Sequence, residues 1–167
     1  MRIKLSKSAM STILLSVVEQ FPNEVVGILF GYNEDNRISI DFILPLTHMS
    51  SSTDYVEFEN ERIDDISEFY TKNISPNHTY LGIYHSHNEA NGEKGSPEQS
   101  SFDADRFHNR VKNNIDLIVA CNLSDDEKKW ILTNGGIKGS LGKYYFEILA
   151  YPQDDNMNIE FEFEWNN

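Results

Sequence analysis

The chain has 167 residues, 39% of them hydrophobic and 25% charged, with a formal net charge of −13. That length supports one compact domain with a core of its own, and the composition is that of an ordinary globular protein. The acidic balance argues against nucleic-acid binding, which needs a basic surface to neutralise phosphates, and against anionic membranes; no apolar stretch approaches the roughly 20 residues that span a bilayer.

The elements read as follows in chain order. Residues 2–5 form a short strand. Ser6 or Ser8 is an N-cap for a helix running to about Phe21, because Met10, Ile13, Leu14, Val17, Val18 and Phe21 recur at helical spacing. The same polar interruptions distinguish this segment from the solid apolar region of a signal peptide, so a cytoplasmic location is expected. Pro22 and Asn23 end the helix. Residues 24–31 are apolar on both faces, as in a strand buried on both sides. A turn at 33–36 leads to an alternating strand at 37–46, completing a hairpin. Residues 50–53 read as loop and 55–58 as extended. Ile63, Ile66 and Tyr70 mark a second helix at 61–74, and Pro76-Asn77 a turn. Residues 79–87 are a strand rich in β-formers. Residues 88–97, polar with two glycines and a proline, read as a long exposed loop with little to pack against. Ser100 caps a third helix expected to reach about Asn113, with Phe107 and Val111 facing inward. Strands follow at 115–122, 128–133, 143–151 and 159–165. Helices and strands alternate, which predicts an α/β fold with a mixed sheet flanked by helices, in one domain spanning 1–167. Cys121 is the only cysteine; it excludes an internal disulfide and, at the end of an apolar run, reads as a buried inert thiol.

Chemistry concentrates at the end of the strand at 79–87. His85 and His87 are two apart, so their side chains leave the same face with Cβ atoms roughly 6.5–7 Å apart. Two imidazoles leaning together from that spacing can share a zinc ion. Asp103, in the first turn of the helix after the loop, can supply a third, anionic ligand and also complements the helix dipole. Ser100 doubles as N-cap and as a hydroxyl donor to a developing oxyanion. The pair stands at a strand end, so replacing His85 is expected to cost metal binding and not the fold. His48, His78 and His108 lack partners at a telling spacing. Trp130 and Trp165 read as packing residues, and Glu59 and Glu61 as dipole-favoured residues at a helix start.

His85-x-His87, a loop, then Ser100-x-x-Asp103 resembles the JAMM motif of the MPN+ metallopeptidases, which include deubiquitinases of the proteasome lid and the signalosome. The family also carries a glutamate ahead of a strand of the form E-x-x-G-x-L-x-G, and Glu24-Val25-Val26-Gly27-Ile28-Leu29-Phe30-Gly31 is similar to it at each position. Leu81-Gly82-Ile83-Tyr84-His85-Ser86-His87 resembles the family's strand leading into the histidines. Two departures stand out: Asn88 occupies the position where a proline is usual, and twelve residues separate His87 from Ser100. That leaves Ser96, Ser100 and Ser101 as candidate hydroxyls, of which Ser100 keeps the x-x-Asp spacing, and Asp105 as an alternative third ligand.

The resemblance implies a cytidine-deaminase-like α/β/α fold and one zinc per chain held by His85, His87 and Asp103. Glu24 is then the proton carrier and Ser100 the oxyanion donor. It implies hydrolysis of the bond after the C-terminus of a ubiquitin-like protein, with that protein or its conjugates as substrate and E1- or E2-like enzymes as further partners. Two other functions stand beside it: a peptidase that trims a ubiquitin-like or sulfur-carrier precursor by the same chemistry, and a non-catalytic scaffold of the same fold, a class whose members lose the metal ligands that are all present here. The loop at 88–97 is expected to be mobile and to order around the substrate's tail.

Overall fold

In the computed structural model, the described residues are 1–46, 52, 60–108, 115–153 and 158–163, without the side chains of 60 and 106–108. Expectations that fall on 47–51, 53–59, 109–114, 154–157 and 164–167 lie outside these residues. They include the extended segment at 55–58, the inward-facing Val111 and the packing of Trp165.

Strand β1 (Arg2–Leu5) leads into helix α1 (Lys7–Gln20). Of the two candidate caps, Ser6 takes the position: its Oγ accepts from the Ala9 amide at 3.2 Å. That satisfies one of the amides a helix start leaves without a partner. Ala9, Met10, Ile13, Leu14 and Val17 are all buried; the larger of these side chains each contribute about 1.5–3 kcal/mol relative to exposure.

Strands β2 (Val26–Glu34) and β3 (Arg37–Pro45) form the expected hairpin. Helix α2 (Asn60–Asn73), strand β4 (Thr79–Asn88), helix α3 (Ser101–His108) and strands β5 (Ile115–Leu123), β6 (Ile131–Thr133), β7 (Gly136–Leu141), β8 (Tyr144–Pro152) and β9 (Glu160–Phe163) complete the order. The nine strands among the described residues form one sheet, ordered β6-β7-β8-β5-β4-β2-β3-β1-β9. Pairings β1–β3, β1–β9 and β4–β5 are parallel and the rest antiparallel. The sheet is mixed and flanked by helices, as expected.

The two faces carry separate cores. On one, α1 packs with Leu5, Leu29, Tyr84, Leu117, Val119 and Phe146. On the other, Ile63 and Tyr70 of α2 pack with Val26, Ile28, Phe30 and Ile83. Strand β2 thus supplies apolar side chains alternately to both, which is why its sequence shows no polar face.

Two elements differ from expectation. Strand β6 is three residues long where a strand over 128–133 is expected, and β7 lies between the expected strands, in a stretch for which no element is predicted. Gly136 and Gly139 permit close packing there. A Cβ on Gly139 would lie 2.6 Å from Trp130 Cδ2, and one on Gly136 would lie 2.0 Å from the Ile148 carbonyl oxygen.

Candidate metal centre

The site assembles where β2, β4 and β5 lie side by side at the centre of the sheet. Val26 pairs with His85 and Gly27 with Tyr84. Gly27 is required there: a Cβ would lie 2.3 Å from the Tyr84 ring, which is fully buried with its hydroxyl 2.8 Å from Ser16 Oγ. The glycine of the first motif and the tyrosine of the second are therefore halves of one contact. Beyond Val26 the ladder continues through Val25, whose carbonyl accepts from the Ser86 amide at 2.9 Å and whose amide donates to Ser86 Oγ at 3.0 Å. One step further, the Asn88 side-chain amide donates to the Asn23 carbonyl at 2.6 Å. This register brings Glu24 alongside His87. Strand alternation puts Glu24 on the face of Val26, the same face as Ile83 and the two histidines. Glu24 is buried, and its amide donates to the Ser52 carbonyl.

His85 and His87 leave β4 together, their ring centroids 5.0 Å apart. Each ring is held by its Nδ1. His85 Nδ1 lies 3.2 Å from Asp116 Oδ1, and His87 Nδ1 lies 2.8 Å from the Ser96 carbonyl. The Nε2 atoms face Asp103, at 3.5 Å from Oδ1 for His85 and 3.6 Å from Oδ2 for His87. One ligand atom from each of the three residues falls within 4.8 Å of the others. Around a tetrahedral ion with bonds of 2.0–2.1 Å, ligand atoms stand about 3.3 Å apart, so each histidine nitrogen lies within a few tenths of an ångström of that spacing from the Asp103 carboxylate. His85 Nε2 is also buried and makes no hydrogen bond among the described residues, as a metal-directed nitrogen would. The residues present fit the ion.

Without metal, burial disfavours the charged form of His85, but Asp116 and then Asp103 outweigh it and raise its pKa to about 10. Burial and the neighbouring His85 charge lower that of His87. Burial opposes ionisation of Asp103, yet His85 and then Ser100 hold its carboxyl well below the usual range. At pH 8, then, His85 is protonated, His87 is neutral and Asp103 is ionised. A metal that takes His85 Nε2 must displace a proton. Titrating zinc into the metal-free protein at pH 8 in buffers of different ionisation enthalpy is expected to show at least one proton released, that of His85, with any ionisation of a zinc-bound water adding to it; zero release would contradict the charge state of His85.

Ser100 caps α3. The Asp103 amide donates to Ser100 Oγ at 3.2 Å, and Asp103 Oδ2 accepts from the Ser100 amide at 3.0 Å and from its hydroxyl at 2.5 Å. This reciprocal box aims the carboxylate at the histidines. Ser96 Oγ instead accepts from the Glu98 amide, and Ser101 and Asp105 are exposed on the first turns of α3. Of the sequence candidates, the structure brings together His85, His87, Asp103 and Ser100, with Glu24 placed beside them by register.

The family described as JAB1/Mov34/MPN/PAD-1 ubiquitin protease matches the chain over residues 1–96. The chain belongs to this family. No curated protein matches it in sequence. Among solved structures, a protein from Desulfitobacterium hafniense is similar at 18% identity and a TM-score of 0.56, over 97% of this chain and 94% of the other. A JAB1/MPN domain protein from Archaeoglobus fulgidus is similar at 16% identity and a TM-score of 0.51, over 98% of both chains. At such identities the likeness is one of fold. The family match includes Glu24, His85 and His87 and ends before Ser100 and Asp103, so the second half of the site stands on its geometry.

The segment joining the two halves of this JAB1/MPN site is more tightly held than its composition predicts. Ala90 and Glu93 bridge across a turn in which Asn91 and Gly92 have positive φ. The Glu89 amide donates to the Cys121 carbonyl, and its carboxylate accepts from Lys94 Nζ at 2.5 Å and the Leu123 amide at 2.9 Å. Asn122 pairs with both backbone groups of Gly95, and Tyr151 bonds the Pro97 carbonyl and the Gln99 amide. A Cβ on Gly95 would lie 2.0 Å from the carbonyl oxygen of His87. Gly95→Ala is therefore expected to push the segment off β4 and destabilise the protein by about 1–3 kcal/mol. Zinc affinity should weaken alongside, because the same shift moves the Ser96 carbonyl that holds His87. A thermal melt and a chelator competition on the variant check both.

Three participants went unread in the sequence: Asp116, Ser86 and the bridging role of Asn88. Asp116 had a signal, being the single carboxylate inside the apolar run 115–121. Elsewhere, His78 bonds the Tyr70 hydroxyl at 3.0 Å, and Trp130 stacks on Phe146. Cys121 is fully buried, as expected, its thiol pushed up to about 12 by burial and by Glu89. No helix among the described residues is long and apolar enough to cross a membrane.

Proposed function

We propose that this JAB1/MPN protein is a zinc-dependent peptidase that hydrolyses the bond after the C-terminus of a ubiquitin-like protein, with isopeptide-linked conjugates as its principal substrates. The observation that carries the reading is the convergence of His85 Nε2, His87 Nε2 and the Asp103 carboxylate, each imidazole turned by an acceptor on its far nitrogen. A structural histidine pair has no need of that arrangement; a metal site does.

Zinc, when bound by these three residues, supplies Lewis acidity and makes water a nucleophile near neutral pH. The chain's own groups do the rest. Glu24 receives the proton of the attacking water and passes it to the departing nitrogen. The Ser100 hydroxyl rotates from Asp103 to donate to the carbonyl oxygen as it gains charge, a contact whose loss in a well-studied hydrolase costs about 2.7–4 kcal/mol.

The test is cleavage by the zinc-loaded protein of two substrates built on the same ubiquitin-like protein, one isopeptide-linked to a lysine peptide and one carrying a linear extension. The isopeptide bond is expected to be cleaved faster, with activity lost to a chelator and restored by zinc. Faster release of the linear extension would favour precursor processing. Stoichiometric zinc without hydrolysis of either, across several ubiquitin-like proteins, would favour the scaffold.

A further inference from the structure

Asp116 is 1% exposed, at the second position of β5 in a row of buried apolar residues. A carboxylate there costs several kcal/mol unless it is paired. Among the described residues its hydrogen-bond partner is His85, whose Nδ1 lies 3.2 Å away. The pairing follows from the parallel register of β4 and β5, which sets Ile83 opposite Asp116 and so places the carboxylate beside the root of the histidine strand.

The two imidazoles are held differently. His87 Nδ1 meets a neutral carbonyl, that of Ser96, whereas His85 Nδ1 meets a carboxylate. An acceptor on Nδ1 keeps the proton there and leaves Nε2 with a lone pair; a charged acceptor does so more strongly and raises the basicity of the ligating nitrogen. Zinc with two neutral imidazoles and one carboxylate carries about +1, and Asp116 lies beside that charge through His85.

We infer that Asp116 is a positioning residue: it holds the neutral His85 ring in the Nδ1–H tautomer and aims Nε2 at the metal position. This inference rests on the zinc-site reading above. In the cell it sets how firmly His85 holds zinc relative to His87, making His85 the anchoring ligand and His87 the weaker one.

The experiment measures zinc affinity by chelator competition, and, on the metal-free protein at a pH above the His85 titration, where the ring is neutral, its tautomer by long-range 15N–1H spectra, on wild type, Asp116→Ala and Asp116→Asn. His87→Ala serves as reference, and metal-free melting temperatures report the fold. Both Asp116 variants are expected to bind zinc 10–100-fold more weakly. Their His85 signals should show a mixed tautomer, because alanine offers no acceptor and an asparagine amide can donate to Nδ1 as well as accept from it. Affinity within about twofold of wild type in both variants, with a single unchanged tautomer, overturns the inference even if melting temperatures fall, since that is the mark of a purely structural pair. Should the alanine variant fail to fold, the isosteric asparagine variant decides alone by the same two readouts. Wild type and Asp116 variants binding zinc equally while His87→Ala does not sinks this inference and leaves the zinc site standing. A wild type that takes up no zinc sinks both.

Discussion

Zinc is expected to be lost from His87→Ala at little cost to the fold, whereas His85→Ala loses the metal and a large part of its stability. The two substitutions look equivalent in the sequence, where both histidines stand at a strand end. In the structure His87 is 20% exposed and gives up one hydrogen bond to a carbonyl, at about 0.5–1.5 kcal/mol. His85 is 8% exposed and sits between Asp103 and Asp116. Its removal strands a buried carboxylate, and breaking a buried pair costs about 3–5 kcal/mol out of a total stability of about 5–15. The expectation that His85 could be replaced at the cost of the metal alone is therefore corrected: this ligand is part of the buried framework. The check is a pair of melts with and without zinc. At zinc one hundred-fold above its Kd, wild type gains about 2.7 kcal/mol, or about 5–10 °C in Tm for a chain of this size. His87→Ala should melt near metal-free wild type and ignore zinc; His85→Ala should melt well below it. A zinc-dependent rise retained in His87→Ala would remove His87 from the ligand set.

The contrast marks what the sequence could carry. Local periodicities were enough for the ligands: a two-residue strand period put His85 and His87 on one face, and capping chemistry put Asp103 in the first turn of α3 next to Ser100. The two-sided apolar run of β2 and the helical stripes of α1 and α2 are equally local, and each formed where its pattern indicated. What stayed hidden depends on register between segments far apart in sequence. Asp116 reaches His85 only because β5 runs parallel to β4 with Ile83 opposite it, and no feature of either strand taken alone announces that alignment. The segment 88–97 was misread for the same reason. Its glycines and polar side chains resemble those of a free loop, while Asn122, Leu123 and Tyr151, which hold it, come 25 or more residues later. The expectation that it has little to pack against is therefore corrected: these bonds tie it to β5 and β8, and it presents the Ser96 carbonyl to His87.

Glu24→Gln is expected to retain stoichiometric zinc and the wild-type fold while losing 10²–10⁴-fold in kcat, the usual contribution of a positioned acid–base group. Glu24 lies outside the ligand set, so the ion does not depend on its charge. The backbone around it is pinned by three contacts that do not involve its side chain: Val25 to Ser86, Asn23 to Asn88, and its own amide to Ser52. Glutamine keeps the length, the shape and the capacity to hydrogen-bond, so a residue that merely filled this buried position would tolerate the change. A residue that must accept a proton and release it again would not. Steady-state kinetics on a cleavable ubiquitin-like fusion separate the two: a fall in kcat with KM within a few-fold assigns the loss to the chemical step. A parallel fall in zinc content would instead place Glu24 among the groups that build the site. Turnover within tenfold of wild type on a substrate that wild type cleaves well would return Glu24 to a structural role. The proton would then have to be carried by another group within reach of the cleft, and Ser100, already bonded to Asp103, would be the next residue to replace.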